Sequence, residues 1–260
     1  MRIPTQPRPW PEGHPISLEK AKSLVEGPLG SVYEKIAISC SAPLTWFRST
    51  DNPPRILHNG TITVVRTPKK LFGITAGHVV DQWNQDLQNG GVTLQIKDRV
   101  IDDLRIVDSS SKRDLATFDL DEQLVKKLGL EPIDWPWRPP VEGGGLLLAG
   151  YPGNTRIYEQ MQIEWSPFFA ITTARTVTLD QLTILVPPDD NVKNSLPPDF
   201  DLGGISGGPI IGIFETESHV AFHRLCGVIT EHPNYDHSDF SIERIVGAAA
   251  EAITESGKIR

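Results

Sequence analysis

Short runs rich in β-branched and aromatic residues, many stepping between apolar and polar positions, recur along the chain and are separated by Gly, Pro, Asn and Asp. That rhythm predicts strands rather than helices. In the first half the runs cover 35–40, 61–66, 70–75, 92–96, 99–107 and 115–120. In the second half they cover 145–149, 157–165, 168–179, 182–186, 209–214 and 219–229. Helical spacing is scarce. Residues 17–26 read as an amphipathic helix capped by Ser17, and 123–128 as a short helical turn. The stretch 238–255 predicts the longest helix, with Ile242, Ile245, Val246, Ala249, Ala250 and Ile253 on one apolar face.

Between the halves, Pro132, Pro136, Pro139 and Pro140 forbid both a helix and a central strand, so this stretch reads as a connector between two β units. The predicted organisation is an N-terminal extension (1–30), a first β unit (31–130), the connector (131–144), a second β unit (145–237) and a C-terminal helix (238–260). The Pro-rich extension reads as a strap across the outside of the fold.

Composition narrows the function classes. The 260 residues are 38% hydrophobic and 22% charged, as in ordinary globular proteins. The 25 Lys and Arg against 33 Asp and Glu give a net charge of −8. Such a surface repels phosphate, so neither nucleic acid nor an anionic membrane is an expected partner. No apolar run is long enough to span a membrane, and residues 1–9 lack the apolar core of a signal peptide. Cys40 and Cys226 fit no metal or redox spacing, which leads us to expect free thiols and a reducing, cytoplasmic setting.

Three segments carry candidate chemistry. Gly73-Ile74-Thr75-Ala76-Gly77-His78 places a histidine where an apolar strand ends in small residues. Arg113-Asp114-Leu115-Ala116 places an aspartate at the start of another strand. Gly203-Gly204-Ile205-Ser206-Gly207-Gly208-Pro209 places a serine in a glycine-rich turn. Singly, each has an ordinary structural explanation: a satisfied histidine, turn chemistry and a flexible loop. Together they supply what an alcohol nucleophile needs. Ser206 requires a base to take its proton, and His78 can be that base. Asp114 can hold the imidazole tautomer. The backbone N–H groups of Gly204 and Ser206 can converge on a developing oxyanion where glycine permits the turn.

Thr75-Ala76-Gly77-His78, Asp114-Leu115-Ala116 and Gly204-Ile205-Ser206-Gly207-Gly208-Pro209 resemble the signatures of the trypsin/chymotrypsin family of serine proteases. The resemblance covers roughly residues 30 to 255. It implies an all-β, chymotrypsin-like fold of two six-stranded antiparallel β-barrels, with His78 and Asp114 in the first and Ser206 in the second. It also implies a serine endopeptidase with a Ser-His-Asp triad and an acyl-enzyme intermediate, acting on a protein or peptide substrate without cofactor or metal. The family's ion pair with a newly cut N-terminus needs an aspartate just before the serine. Ile205 stands there, so activation by N-terminal insertion is not expected, and the absence of a disulfide pattern points to a bacterial or organellar intracellular branch. The family register puts Phe200 at the floor of the P1 pocket, favouring a small or apolar side chain; a shift of one residue would put Asp201 there and select Arg or Lys. Val228, Ile229 and Thr230 would line the substrate as an added strand, and Thr230 would reach Asp114.

Other readings compete. Gly204-Ile205-Ser206-Gly207-Gly208 also fits the nucleophile elbow of α/β-hydrolases, but that motif needs a helix after the serine, and the sequence there has a strand pattern. His219, His223 and Cys226, with His232 and His237 nearby, superficially suit a metal, yet strand alternation sends Cys226 to the opposite face. A catalytically silent scaffold on the same fold is the alternative function. The sequence also leaves open a regulatory partner protein.

Overall fold

The computed structural model describes residues 12–48, 55–159, 162–186, 201–231 and 243–260. The chain enters through β1 (His14–Pro15), α1 (Leu18–Glu26) and α2 (Gly30–Ser39). Strands β2 (Ser41–Arg48), β3 (Ile56–Arg66) and β4 (Leu71–Ala76) follow, then α3 (Gly77–Gln88). Next come β5 (Val92–Ile96), β6 (Arg99–Ile101), β7 (Ile106–Ser110), β8 (Leu115–Leu120), α4 (Glu122–Leu128) and β9 (Ile133–Asp134). These strands form one curled antiparallel sheet in the order β6-β5-β2-β3-β4-β8-β7, with β9 pairing parallel to β3.

The second half supplies β10 (Gly145–Gly150), the hairpin β11 (Arg156–Glu159) and β12 (Gln162–Trp165), β13 (Phe168–Val177), β14 (Gln181–Val186), β15 (Pro209–Glu215), β16 (Ala221–Glu231) and β17 (Glu243–Ala249). Their order is β15-β10-β13-β14-β17-β16, and β16 pairs back onto β15, closing a six-stranded antiparallel barrel. The molecule is therefore all-β with few helices, a double-barrel arrangement of the chymotrypsin-like kind. Among the described residues, no helix is long and apolar enough to cross a membrane.

Strand β3 shows how period-2 alternation builds both the core and the seam between units. Ile62 and Val64 enter the core of the first sheet with Trp46, Phe118 and Leu128. Val65, on the opposite face, joins a second core that both units share. There Phe72, Ile74 and Leu115 meet Leu147, Ala149, Ile211 and Val228. The barrel interior is a third cluster, which includes Leu182, Ile184, Ile205, Ile210 and Ile245. Each fully buried side chain of this size contributes about 1.5–3 kcal/mol by leaving water.

Four expectations need correction. Residues 35–40 are not a strand but the end of α2. Gly30, Tyr33 and Ala37 recur at helical spacing and are buried, a pattern that the β-branched Ile36 and Ile38 mask. The first sheet accordingly begins at Ser41 rather than at 31. The C-terminal helix is instead strand β17, followed by a 3₁₀ turn (Ala250–Ala252); residues 238–242 lie outside the described residues. Here tertiary pairing overrides helical spacing, because β14 and β16 both hydrogen-bond to this segment and it completes the barrel. Finally, the described part of the N-terminal extension, residues 12–30, is no outer strap. Ile16, Ala21 and Val25 belong to the shared core.

Residues 253–260 return from the second barrel to the first sheet. Thr67 and Thr117 hydroxyls donate to the Glu255 and Gly257 carbonyls (2.9 and 2.6 Å), and the Ile259 N–H donates to Asp108 Oδ2 (3.0 Å).

The N-terminal helix is fastened electrostatically. Lys20 Nζ donates to both oxygens of the buried Glu215 (2.6 and 2.7 Å), beside the β1–β15 pairing. This hydrogen bond, helped by the charges of Lys20 and His219, holds the Glu215 carboxyl below its usual range. A lowered carboxyl stabilises the fold above the ordinary carboxylate range and loses that contribution as the pH falls through the lowered value. Glu215→Gln is expected to lower Tm at pH 7, with the gap to wild type closing in acid below about pH 4. Thermal unfolding followed by circular dichroism across pH checks this.

Candidate active site

Strand β4 is buried throughout and ends at Ala76, whose extended backbone precedes α3. His78 therefore lies in the first turn of a helix, where backbone N–H groups lack intrahelical partners. Asp114 meets that need twice. Its Oδ1 accepts the His78 N–H at 2.7 Å, and its Oδ2 lies 2.8 Å from His78 Nδ1. A carboxylate only accepts, so Nδ1 carries the proton of the neutral ring and Nε2 the lone pair. Asp114 itself adopts φ +49°, a left-handed conformation that aspartate tolerates better than most residues. A side chain on Gly77 would begin 3.1 Å from Asp114 Oδ1, so a glycine there gives the carboxylate room to approach.

The serine loop is a pair of consecutive turns. Ile205 N–H donates to Leu202 O (3.1 Å) and Gly208 N–H to Ile205 O (2.8 Å). Gly204 and Gly207 sit at φ +104° and +96°, which glycine adopts without penalty. Leu202 and Ile205 anchor the loop in the barrel core. Ile205 thus fills an apolar site and forms no ion pair. Among the described residues, no acceptor takes the N–H of Gly204 or of Ser206.

The first sheet grips this loop through one face of β3. Thr61 N–H donates to Ser206 O (2.8 Å), Thr61 Oγ1 to Gly204 O (2.9 Å), and Thr63 Oγ1 to Gly207 O (2.7 Å). Thr75, three residues before His78, donates to Thr61 O at 2.7 Å. A Cβ on Gly60 would stand 2.7 Å from Val79 Cγ1 and 3.3 Å from Ser206 O. The backbone of Ser206 and the helix bearing His78 are therefore neighbours across one glycine. Sequence reading missed Thr61 and Thr63. Their signal is a pair of hydroxyls at alternate positions of an otherwise apolar strand.

The other expected residues fall out as follows. Phe200 lies outside the described residues. Asp201 is exposed, and its Oδ1 accepts the Gly203 N–H (2.7 Å), bracing the entry to the serine loop. Val228 and Ile229 are fully buried, with their side chains in the cores. Both backbone groups of Ile229 are engaged by the loop, with Gly207 N–H donating to its carbonyl (2.7 Å) and its N–H donating to Gly208 O (2.8 Å). Ile229 therefore has no backbone pairing to offer a substrate strand, which corrects that expectation. Thr230 does not reach Asp114. It sits at a β-bulge, and its hydroxyl donates to Val246 O (3.3 Å).

Strand β15 follows Ser206, and no helix does, so the nucleophile-elbow geometry is not met. Cys226 points into the core away from the exposed His219. Burial pushes the Cys40 and Cys226 thiols up to about 12, leaving them little thiolate character near neutral pH. Among the described residues, no three His, Cys, Asp or Glu side chains are grouped to hold a metal ion; His232 and His237 lie outside them.

No protein-family model matches the sequence, and no curated protein is detectably similar to it. Solved structures similar to the chain include serine proteases. The serine endoprotease of Yersinia pestis is 16% identical over 89% of this chain, with a TM-score of 0.45; the chain spans 62% of that protein. The serine protease domain of the Sesbania mosaic virus polyprotein is 15% identical, covering 81% of this chain and 94% of that one, with a TM-score of 0.42. A structure concerned with the folding and binding of the Sesbania mosaic virus VPg protein is 14% identical, covering 82% and 92%, with a TM-score of 0.44.

A side chain at 207 would run into Thr61 O and Thr75 Oγ1, whereas Gly90, also at positive φ (+115°), has open space around it. Gly207→Ala is expected to destabilise the protein by about 3 kcal/mol, lowering Tm by roughly 6–12 °C. Gly90→Ala should cost clearly less, and thermal denaturation of the two variants measures what the collision adds.

Proposed function

We propose that the chain is a serine endopeptidase in which His78, Asp114 and Ser206 form the catalytic triad. The observation that carries this reading is the doubly held histidine. Asp114 grips both the backbone and the ring of His78, fixing the tautomer whose Nε2 can accept a proton. What the reading adds is transfer of the Ser206 proton to that nitrogen.

In this mechanism Ser206 Oγ attacks the scissile carbonyl as its proton passes to His78 Nε2. Asp114 stabilises the imidazolium. The carbonyl oxygen, now negative, is received by the N–H groups of Gly204 and Ser206, for which no other acceptor is found among the described residues. The C–N bond breaks as His78 returns the proton to the leaving amine, and a water activated by the same imidazole then hydrolyses the acyl-enzyme. The burial of Ile205 supports a loop that takes its shape without a cut N-terminus. The engagement of Asp201 with Gly203 supports a small or apolar P1 residue over Arg or Lys. A substrate strand would pair along β16 beyond Ile229, at Thr230 and Glu231.

Labelling with a fluorescent alkyl fluorophosphonate tests the reading. The wild-type protein is expected to label, and Ser206→Ala not to. Folded wild-type protein that fails to label would instead support the silent scaffold. Against any cleaved peptide, His78→Ala should abolish turnover with the fold retained, and Asp114→Asn should lower kcat on the order of 10⁴-fold.

A further inference from the structure

Thr61 lies in the middle of β3, is fully buried, and has every polar atom engaged. Its N–H and carbonyl connect Ser206 O to Thr75 Oγ1, linking the serine loop to the strand that leads to His78. Its hydroxyl accepts the Tyr151 N–H (3.0 Å) and donates to Gly204 O (2.9 Å).

The loop's peptide planes show what that hydroxyl does. The N–H of Gly204 belongs to the peptide whose carbonyl, Gly203 O, accepts from Gly153 N–H (2.7 Å). The N–H of Ser206 belongs to the peptide whose carbonyl, Ile205 O, accepts from Gly208 N–H. Both neighbours of the central 204–205 peptide are thus held within the second unit. The central peptide is held from both units, its N–H donating to Leu202 O (3.1 Å) in the second and its carbonyl accepting from a side chain of the first. Gly204, at φ +104°, has no Cβ to resist rotation of that plane.

We infer that Thr61 is a positioning residue. By holding the carbonyl of the 204–205 peptide, its hydroxyl secures the relative setting of the two flanking peptides that carry the Gly204 and Ser206 N–H groups. The inference rests on the endopeptidase reading. Thr63 provides an internal control, because its equally buried hydroxyl holds the carbonyl of Gly207, which lies beyond the serine.

The test measures Tm and the second-order rate of labelling by an alkyl fluorophosphonate. In that reaction the Ser206 Oγ–P bond forms, the P–F bond breaks and fluoride leaves, while the phosphoryl oxygen occupies the oxyanion site. Thr61→Val strands the Gly204 carbonyl and the Tyr151 N–H, and Thr63→Val the Gly207 carbonyl, so both are expected to lose several degrees of Tm, Thr61→Val the more. Only Thr61→Val should also label about 10–100-fold more slowly, and Thr61→Ser, which restores the hydroxyl, should label close to the wild-type rate. If Thr61→Val does not fold at the assay temperature, Thr61→Cys replaces it with the same expectation. Labelling of the Thr61 variant at the wild-type rate, or an equal loss in Thr63→Val, overturns the inference and leaves the endopeptidase reading intact. Wild-type protein that does not label removes both.

Discussion

Buried polar groups have to be paired, and in this molecule that requirement falls most heavily on the seam between the two β units. A turn rich in glycine exposes its carbonyls on all sides and satisfies only some of them internally, here those of Leu202 and Ile205. The first unit supplies the missing partners from alternate positions of β3, where Thr61 and Thr63 take the places that Val or Ile would fill in a purely apolar interface. Removing either hydroxyl would strand a buried carbonyl, a penalty of about 1–3 kcal/mol. The seam is therefore directional as well as adhesive. Apolar contacts among Phe72, Leu147, Ile211 and Val228 press the units together without fixing their register, and the threonine bonds choose it.

Asp114 shows the same economy in the other half of the site. One carboxylate caps the helix that begins at Gly77 and orients the ring of the second residue in that helix. The helix start and the imidazole are thereby placed by a single group, and the position of His78 depends little on the packing of its own exposed side chain.

Much of this was legible in the sequence. The alternation in 61–66, 70–75, 115–120, 145–149 and 209–214 marks strands that form, and the three motifs identify a histidine and an aspartate that do meet. What was not legible depends on partners far away in the chain. The segment 243–249 has apolar residues that suit a helix, but two strands of the barrel claim its backbone, and no local pattern reveals that. Residues 30–39 err the other way, with β-branched side chains concealing a helix. The roles of Thr61 and Thr63 are invisible locally because a threonine in a strand is ordinary until something polar is placed opposite it.

Residues 253–260 carry a last implication. They leave the second barrel and fasten onto the first sheet through Thr67, Thr117 and Asp108, a second set of bonds between the units besides the β3 grip on the serine loop. Two lobes pinned at two separate sets of bonds resist swinging apart like a jaw.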